Sequence, residues 1–130
     1  MKFTGLTCSG GHGLSLSVGQ STTDSSANTV SNIEFSDCTV TNSRNGITNY
    51  GVNVQEDYYN GGSSGTPKGN IPITGLVLKD IKGSMTGSSS MPVYILCGSN
   101  GCSNWKWSGI SITGSKKANS CNYTPSGFSC

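Results

Sequence analysis

The sequence predicts an all-β protein made of stacked, turn-punctuated strands in a solenoid, and three observations lead there. Glycine counts 19 of 130 residues, about twice its usual ~7% share. Charged residues make up only 11%, against a usual ~25%. The apolar residues are largely β-branched or aromatic and fall in short alternating runs. No stretch keeps a 3.6-residue apolar period over three turns, so helices are not expected. The low net charge of +2, together with these apolar runs, does not fit a disordered chain.

The first strand unit is Lys2-Phe3-Thr4-Gly5-Leu6-Thr7-Cys8, which reads as a strand entering mid-fold rather than as a signal peptide. Ser31 to Val40 forms the second unit, and Phe3 can be laid over Phe35 at a step of 32 residues. Thr74 to Ile81 and Trp107 to Gly114 form two more. Matching Ile33, Leu76 and Ile110 gives steps of 43 and 34. Repeats of this length mark solenoids, whose units bury their inner faces only by stacking. Asp37 and Asp80 fall at matching positions just after strands. An antiparallel sandwich stays open on pattern alone, because Asn45-Gly46, Asn60-Gly61 and Asn100-Gly101 could each turn a hairpin. Ser21 to Asn28 and Asn60 to Asn70 are expected as polar surface loops. No boundary divides residues 1–130, so one domain is expected.

Six cysteines allow ~15 complete pairings. Proximity favours Cys97 with Cys102, across Gly98-Ser99-Asn100-Gly101, and Cys121 with Cys130. A metal centre is not expected, since zinc spacings need a second matching pair or histidines, and His12 is distant and alone. Disulfides imply an oxidising, secreted setting. Asn122-Tyr123-Thr124 is a glycosylation sequon that agrees with it.

Other readings exclude more than they assign. Lys2, Arg44, Lys68, Lys79, Lys82, Lys106, Lys116 and Lys117 are scattered, which suits a solvated surface and not a nucleic-acid patch. No run approaches the ~18 apolar residues of a membrane span. Asp24, Glu34, Asp37, Glu56, Asp57 and Asp80 read as surface or turn acids. Glu56 and Asp57 are the only adjacent pair, and on a strand they point to opposite faces. Trp105 and Trp107 share one side and are expected to cover the end of the fold rather than to form a sugar platform. Lys68 in its loop is expected to be solvated.

Cys8-Ser9-Gly10-Gly11-His12-Gly13-Leu14-Ser15-Leu16 resembles the Gly-His-Gly signature of the polygalacturonases, glycoside hydrolase family 28. The likeness continues in order through Tyr50-Gly51-Val52-Asn53-Val54-Gln55-Glu56-Asp57-Tyr58, which resembles the family's YGV-V-QQDY segment. It runs on through Tyr94-Ile95-Leu96-Cys97-Gly98, Cys102-Ser103-Asn104-Trp105-Lys106-Trp107 and the terminal cysteine pair. The likeness is greatest to fungal endopolygalacturonases and covers nearly the whole chain. It implies a right-handed parallel β-helix, cut at its N-terminal side, and a secreted pectinase that acts on plant cell walls by inverting hydrolysis of α-1,4-galacturonosidic bonds. It places His12 in the active-site cleft as the one surviving catalytic-site residue, in a supporting role, and Tyr58 along the substrate subsites, where Tyr59 could be mistaken for it. No cofactor is implied.

Departures from the pattern are equally informative. The family's Asn-Thr-Asp motif and Asp-Asp pair, which supply acid and base, lie upstream of Gly-His-Gly and are not in this chain. Its Arg-Ile-Lys motif, which grips substrate carboxylates, follows a segment like Asn42-Ser43-Arg44-Asn45-Gly46-Ile47, but here Ile47 runs straight into Thr48-Asn49-Tyr50. About one coil is missing in frame. Cys8 lacks its family partner, and Cys38 has none assigned. The chain is therefore expected to be catalytically incompetent alone. It is expected to be a monomer that meets pectin oligosaccharides or a plant polygalacturonase-inhibiting protein, or else a truncated gene product. A coil edge left open at the N-terminal side makes aggregation an expectation for the isolated chain.

Overall fold

The computed structural model describes residues 1–19, 28–41 and 49–130. Asp24, the segment Asn42–Ile47 with Arg44 and the Asn45-Gly46 pair, and all but Asn28 of the loop read at 21–28 lie outside the described residues. Fourteen strands are described, and among the described residues no helix is long and apolar enough to cross a membrane.

The strands form three sheets. The widest holds β1 (Lys2–Thr4), β2 (Thr7–Ser9), β5 (Glu34–Ser36), β6 (Thr39–Thr41), β10 (Val77–Ser84) and β13 (Lys106–Thr113). The second holds β3 (Leu14–Gly19), β7 (Asn49–Tyr59), β11 (Ser90–Leu96) and β14 (Ser120–Cys121), with β8 (Gly62–Ser63) added to β7. The third holds β4 (Val30–Ser31), β9 (Ile73–Thr74) and β12 (Cys102–Ser103). The chain visits the sheets in rotation and returns to each one in parallel register. Parallel crossovers of this kind are right-handed. The molecule is a right-handed parallel β-helix, as expected, and the sandwich is ruled out. The one antiparallel pair among the described strands is β7 with β8, where Asn60 and Gly61 have φ of 48° and 85° and close a two-residue hairpin.

Corners are set by residue type. Gly5, Asp37, Asp80 and Gly109 stack from coil to coil with φ between 53° and 69°, which explains the matching aspartates. Asn32, Gly75 and Asn104 form a second such column. Glycine, asparagine and aspartate tolerate this left-handed backbone at low cost, so the chain bends at the same place in each coil.

The core lies inside the three sheets as ladders of like residues. Phe3 pairs with Phe35, then Leu78, then Trp107, and the two phenyl rings stack at 5.0 Å. Leu16, Val54, Ile95 and Cys121 form another ladder. One expected alignment is corrected. Ile110 pairs with Ile81, and it is Trp107 that pairs with Leu78. The last full coil is thus 29 residues long, from Leu78 to Trp107, and not 34. Two kinds of left-handed corner look alike in sequence: Gly75-Leu76 enters the wide sheet, whereas Gly109-Ile110 turns in its middle.

Candidate functional site

The β3–β7–β11 sheet and the turns at its ends carry the residues that sequence singled out. His12 sits on the turn between β2 and β3 and is exposed. Gly13 has φ of 74°, and a methyl group there would run into the carbonyl oxygen of Gly51 in the next coil. The turn therefore requires glycine on that side of the histidine. Tyr50, at the start of β7, stacks on Tyr94 of β11 at 4.9 Å with an 18° interplanar angle. Burial raises the Tyr94 phenol above its ordinary value, with Tyr50 and Asp57 adding to the rise. Along the strands, Ser15 pairs with Asn53 and Ser17 with Gln55. Asn53 Nδ2 donates to Ser15 Oγ at 3.2 Å, while Asn53 Oδ1 is buried without a partner.

Tyr58 lies at the far end of this sheet and is 41% exposed; Tyr59 is 56% exposed on the same hairpin. His12 precedes β3 on its turn, and Tyr58 pairs with Gly19 at the other end of that strand.

The acids differ from expectation. Glu56 and Asp57 are 1% and 0% exposed, so neither is a surface acid. Ser17 pairs with Gln55 but Gly19 pairs with Tyr58, which puts two residues of β7 opposite Val18. Both buried carboxyl groups lie at this bulge. Asp57 Oδ2 accepts from Ser63 Oγ and, at 2.7 Å, from Gly65 N–H, so it ties down the hairpin that carries Tyr58. Glu56 Oε2 accepts from Gly98 N–H at 2.6 Å. Burial pushes the Glu56 carboxyl upward, and the Gly98 bond opposes this in part. Glu34 pairs with Lys2 at 2.9 Å on the surface. Asp37 is exposed and Asp80 is half-buried in its corner.

Disulfides join Cys97 to Cys102 and Cys121 to Cys130, with Cα separations of 5.8 and 6.2 Å. Cys8 is half-buried and Cys38 buried, both with free thiols; burial first, then Cys38, holds the Cys8 thiol above its ordinary value. Glu56, Cys97 and Cys102 bring donor atoms within 4.8 Å of one another. The two sulfurs are bonded to each other and so are not metal ligands here. The Asn122 amide is engaged by the Cys97 backbone, accepting from its N–H and donating to its carbonyl at 2.7 Å each. Lys68 is exposed. Trp105 and Trp107 are buried and stacked at 5.8 Å, with Tyr123 and Phe128 against them, which makes them the cover of the last coil.

Sequence reasoning missed the Tyr50–Tyr94 stack and the burial of Asn53 and Gln55. Alternation puts Asn53 and Gln55 on the outward face with Ser15 and Ser17, so it carried no signal for their burial.

A family described as glycosyl hydrolases family 28 matches residues 1–49 and 45–130. A polygalacturonase of Phaedon cochleariae is 44% identical over 155 positions, covering 98% of this chain and 42% of the relative. One from Cochliobolus carbonum is 42% identical, covering 98% and 41%. An endopolygalacturonase I of Aspergillus oryzae is 40% identical, covering 100% and 41%. The chain thus spans about two-fifths of the length of these relatives. With 155 aligned positions and 130 residues, at least 25 positions are filled by the Phaedon relative alone. The family match itself divides at residues 45–49.

Proposed function

The chain belongs to the glycosyl hydrolases of family 28, and from that membership we propose that it carries a polygalacturonate-binding surface of polygalacturonase descent that does not hydrolyse its ligand unaided. The sugar chain lies along the outer face of β3, β7 and β11. His12 supports one end of it, and Tyr58 packs a ring against a galacturonate at the other. Aromatic faces suit sugar rings, and the phenol adds one directed hydrogen bond. The paired cysteines support an extracellular setting for this activity.

The burial of Glu56 and Asp57 carries the proposal. Inversion needs one protonated and one ionised carboxyl group, about 6.5–9.5 Å apart across the bond to be cut. Among the described residues, the only carboxyls on this sheet are these two, and both are committed to loops inside the protein. The division of the family match at 45–49 supports the loss of about one coil, with its substrate-gripping Arg-Ile-Lys.

The test uses the 130-residue chain with polygalacturonate. Affinity electrophoresis should show retardation in gels containing the polymer, and Tyr58→Ala should weaken it about 10-fold or more, as loss of a stacked sugar contact does. Reducing-sugar release should stay at the level of a boiled control. Release above that level refutes the inactivity, and unretarded migration refutes the binding surface.

A further inference from the structure

Glu56 sits where three segments meet, and nothing in the proposed binding surface uses it. Its Oε2 takes the Gly98 N–H at 2.6 Å. A methyl group at Gly101 would occupy the space of this carboxyl, so the group lies flat against the Gly101 backbone. Its main-chain carbonyl accepts from Lys68 N–H at 3.3 Å. Gly69 in turn packs against Gly98 and Ser99 so closely that neither glycine there has room for a side chain. The loop closed by Cys97 and Cys102 and the segment after the Tyr58 hairpin are thus both fastened to the end of β7 around one carboxyl group.

The state of that group follows from its surroundings. Oε1 is buried without a polar partner, and its carboxyl lies within 4.8 Å of the disulfide sulfurs. A neutral hydroxyl can face sulfur, which is a weak acceptor. An ionised oxygen there has no donor and no solvent. No charged side chain contributes to the upward shift of this group; burial causes it and the Gly98 bond limits it. Asp57, its neighbour, is turned to Ser63 and Gly65, and the Lys68 side chain is exposed. Cys97 and Cys102 are bonded and do not titrate.

We propose that Glu56 is a positioning residue whose neutral acid form fastens the 97–102 loop and residues 68–69 to the strand that presents Tyr58, and whose ionisation loosens them. The linkage has a definite sign. A carboxyl held above its unfolded value of ~4.3 leaves the folded state binding more protons than the unfolded one. Stability is therefore greatest below the unfolded value and falls as pH climbs through the folded one. The functional part of the inference rests on the reading of Tyr58 as a sugar contact; the fastening itself does not.

The experiment follows hydrogen exchange in peptides spanning 58–70 and 97–102, and the thermal midpoint, across about pH 4 to 8 for the parent chain and Glu56→Gln. No polygalacturonate is present, so failure here is separate from failure of the binding surface. After correction for intrinsic exchange, the parent should lose protection in both segments as pH rises, by roughly 10-fold per unit of displacement. Glu56→Gln keeps an acceptor for Gly98 but cannot ionise, and should show a flat profile. Parallel profiles in the two proteins overturn the proposal. Should the variant not fold, a carboxyl ¹³C titration of Glu56 in the parent decides: a midpoint at or below ~4.3 overturns it, and a higher one supports it.

Discussion

At the residue scale, the constraints on this face come from contacts too close for a side chain. Gly13 combines a φ of 74° with the backbone of Gly51 directly beneath its α-carbon. A side chain there meets two independent penalties, a left-handed backbone of about 1–2 kcal/mol and overpacking of about 1–3 kcal/mol. Gly13→Ala is expected to destabilise the chain by at least about 2 kcal/mol in urea unfolding. Gly11, which has open space around its α-carbon, should accept alanine nearly without effect. Equal losses at both positions would contradict this account of the turn and remove the reason for His12 being held where it is.

At the level of elements, the last coil is closed by packing and by one short parallel bridge, Lys106 to Ser126. Trp105 Nε1 donates to the Ile73 carbonyl at 2.8 Å, and Trp107 lies on it with Phe128 at 5.3 Å. Ser126 exchanges backbone bonds with Trp105 and Trp107, and Cys121–Cys130 holds the segment in place. Trp107→Ala is expected to cost about 3–5 kcal/mol of unfolding free energy while leaving polygalacturonate retardation unchanged in the fraction that remains folded. Loss of binding at unchanged stability would make these indoles a sugar platform after all. The β7 bulge belongs to the same scale. A single extra residue of β7 lies opposite Val18, and beside it Glu56 and Asp57 are buried while Tyr58 is exposed.

For the whole molecule, the coils are closed unevenly. Among the described residues, β1, β2, β3 and β4 each pair with a neighbour on one side only. The coil they form shows Leu6 at 37% exposure, with Phe3 and Cys8 half-buried. Unpaired parallel edges with apolar neighbours template further pairing. The 130-residue chain is expected to self-associate through this end, seen as a sedimentation coefficient that rises with concentration. A lysine placed at Phe3 or Leu6 should reduce the association. A monodisperse monomer at high concentration would show that the edge is protected by its own geometry.

Much of this was legible in the sequence because it is local. Alternation along each strand fixed which side chains face inward, and Asn32, Asp37, Asp80 and the glycines that share their columns fixed the corners, since few residues accept a left-handed backbone. The pairing of Phe3 with Phe35 and the two disulfide loops could be read from spacing for the same reason. Coil length, the bulge and the burial of two adjacent acids could not. Those depend on which residue of the next coil lies opposite, and only the stacked structure settles that: it moved Ile110 from Leu76 to Ile81 and turned Glu56 from a surface charge into a buried acid.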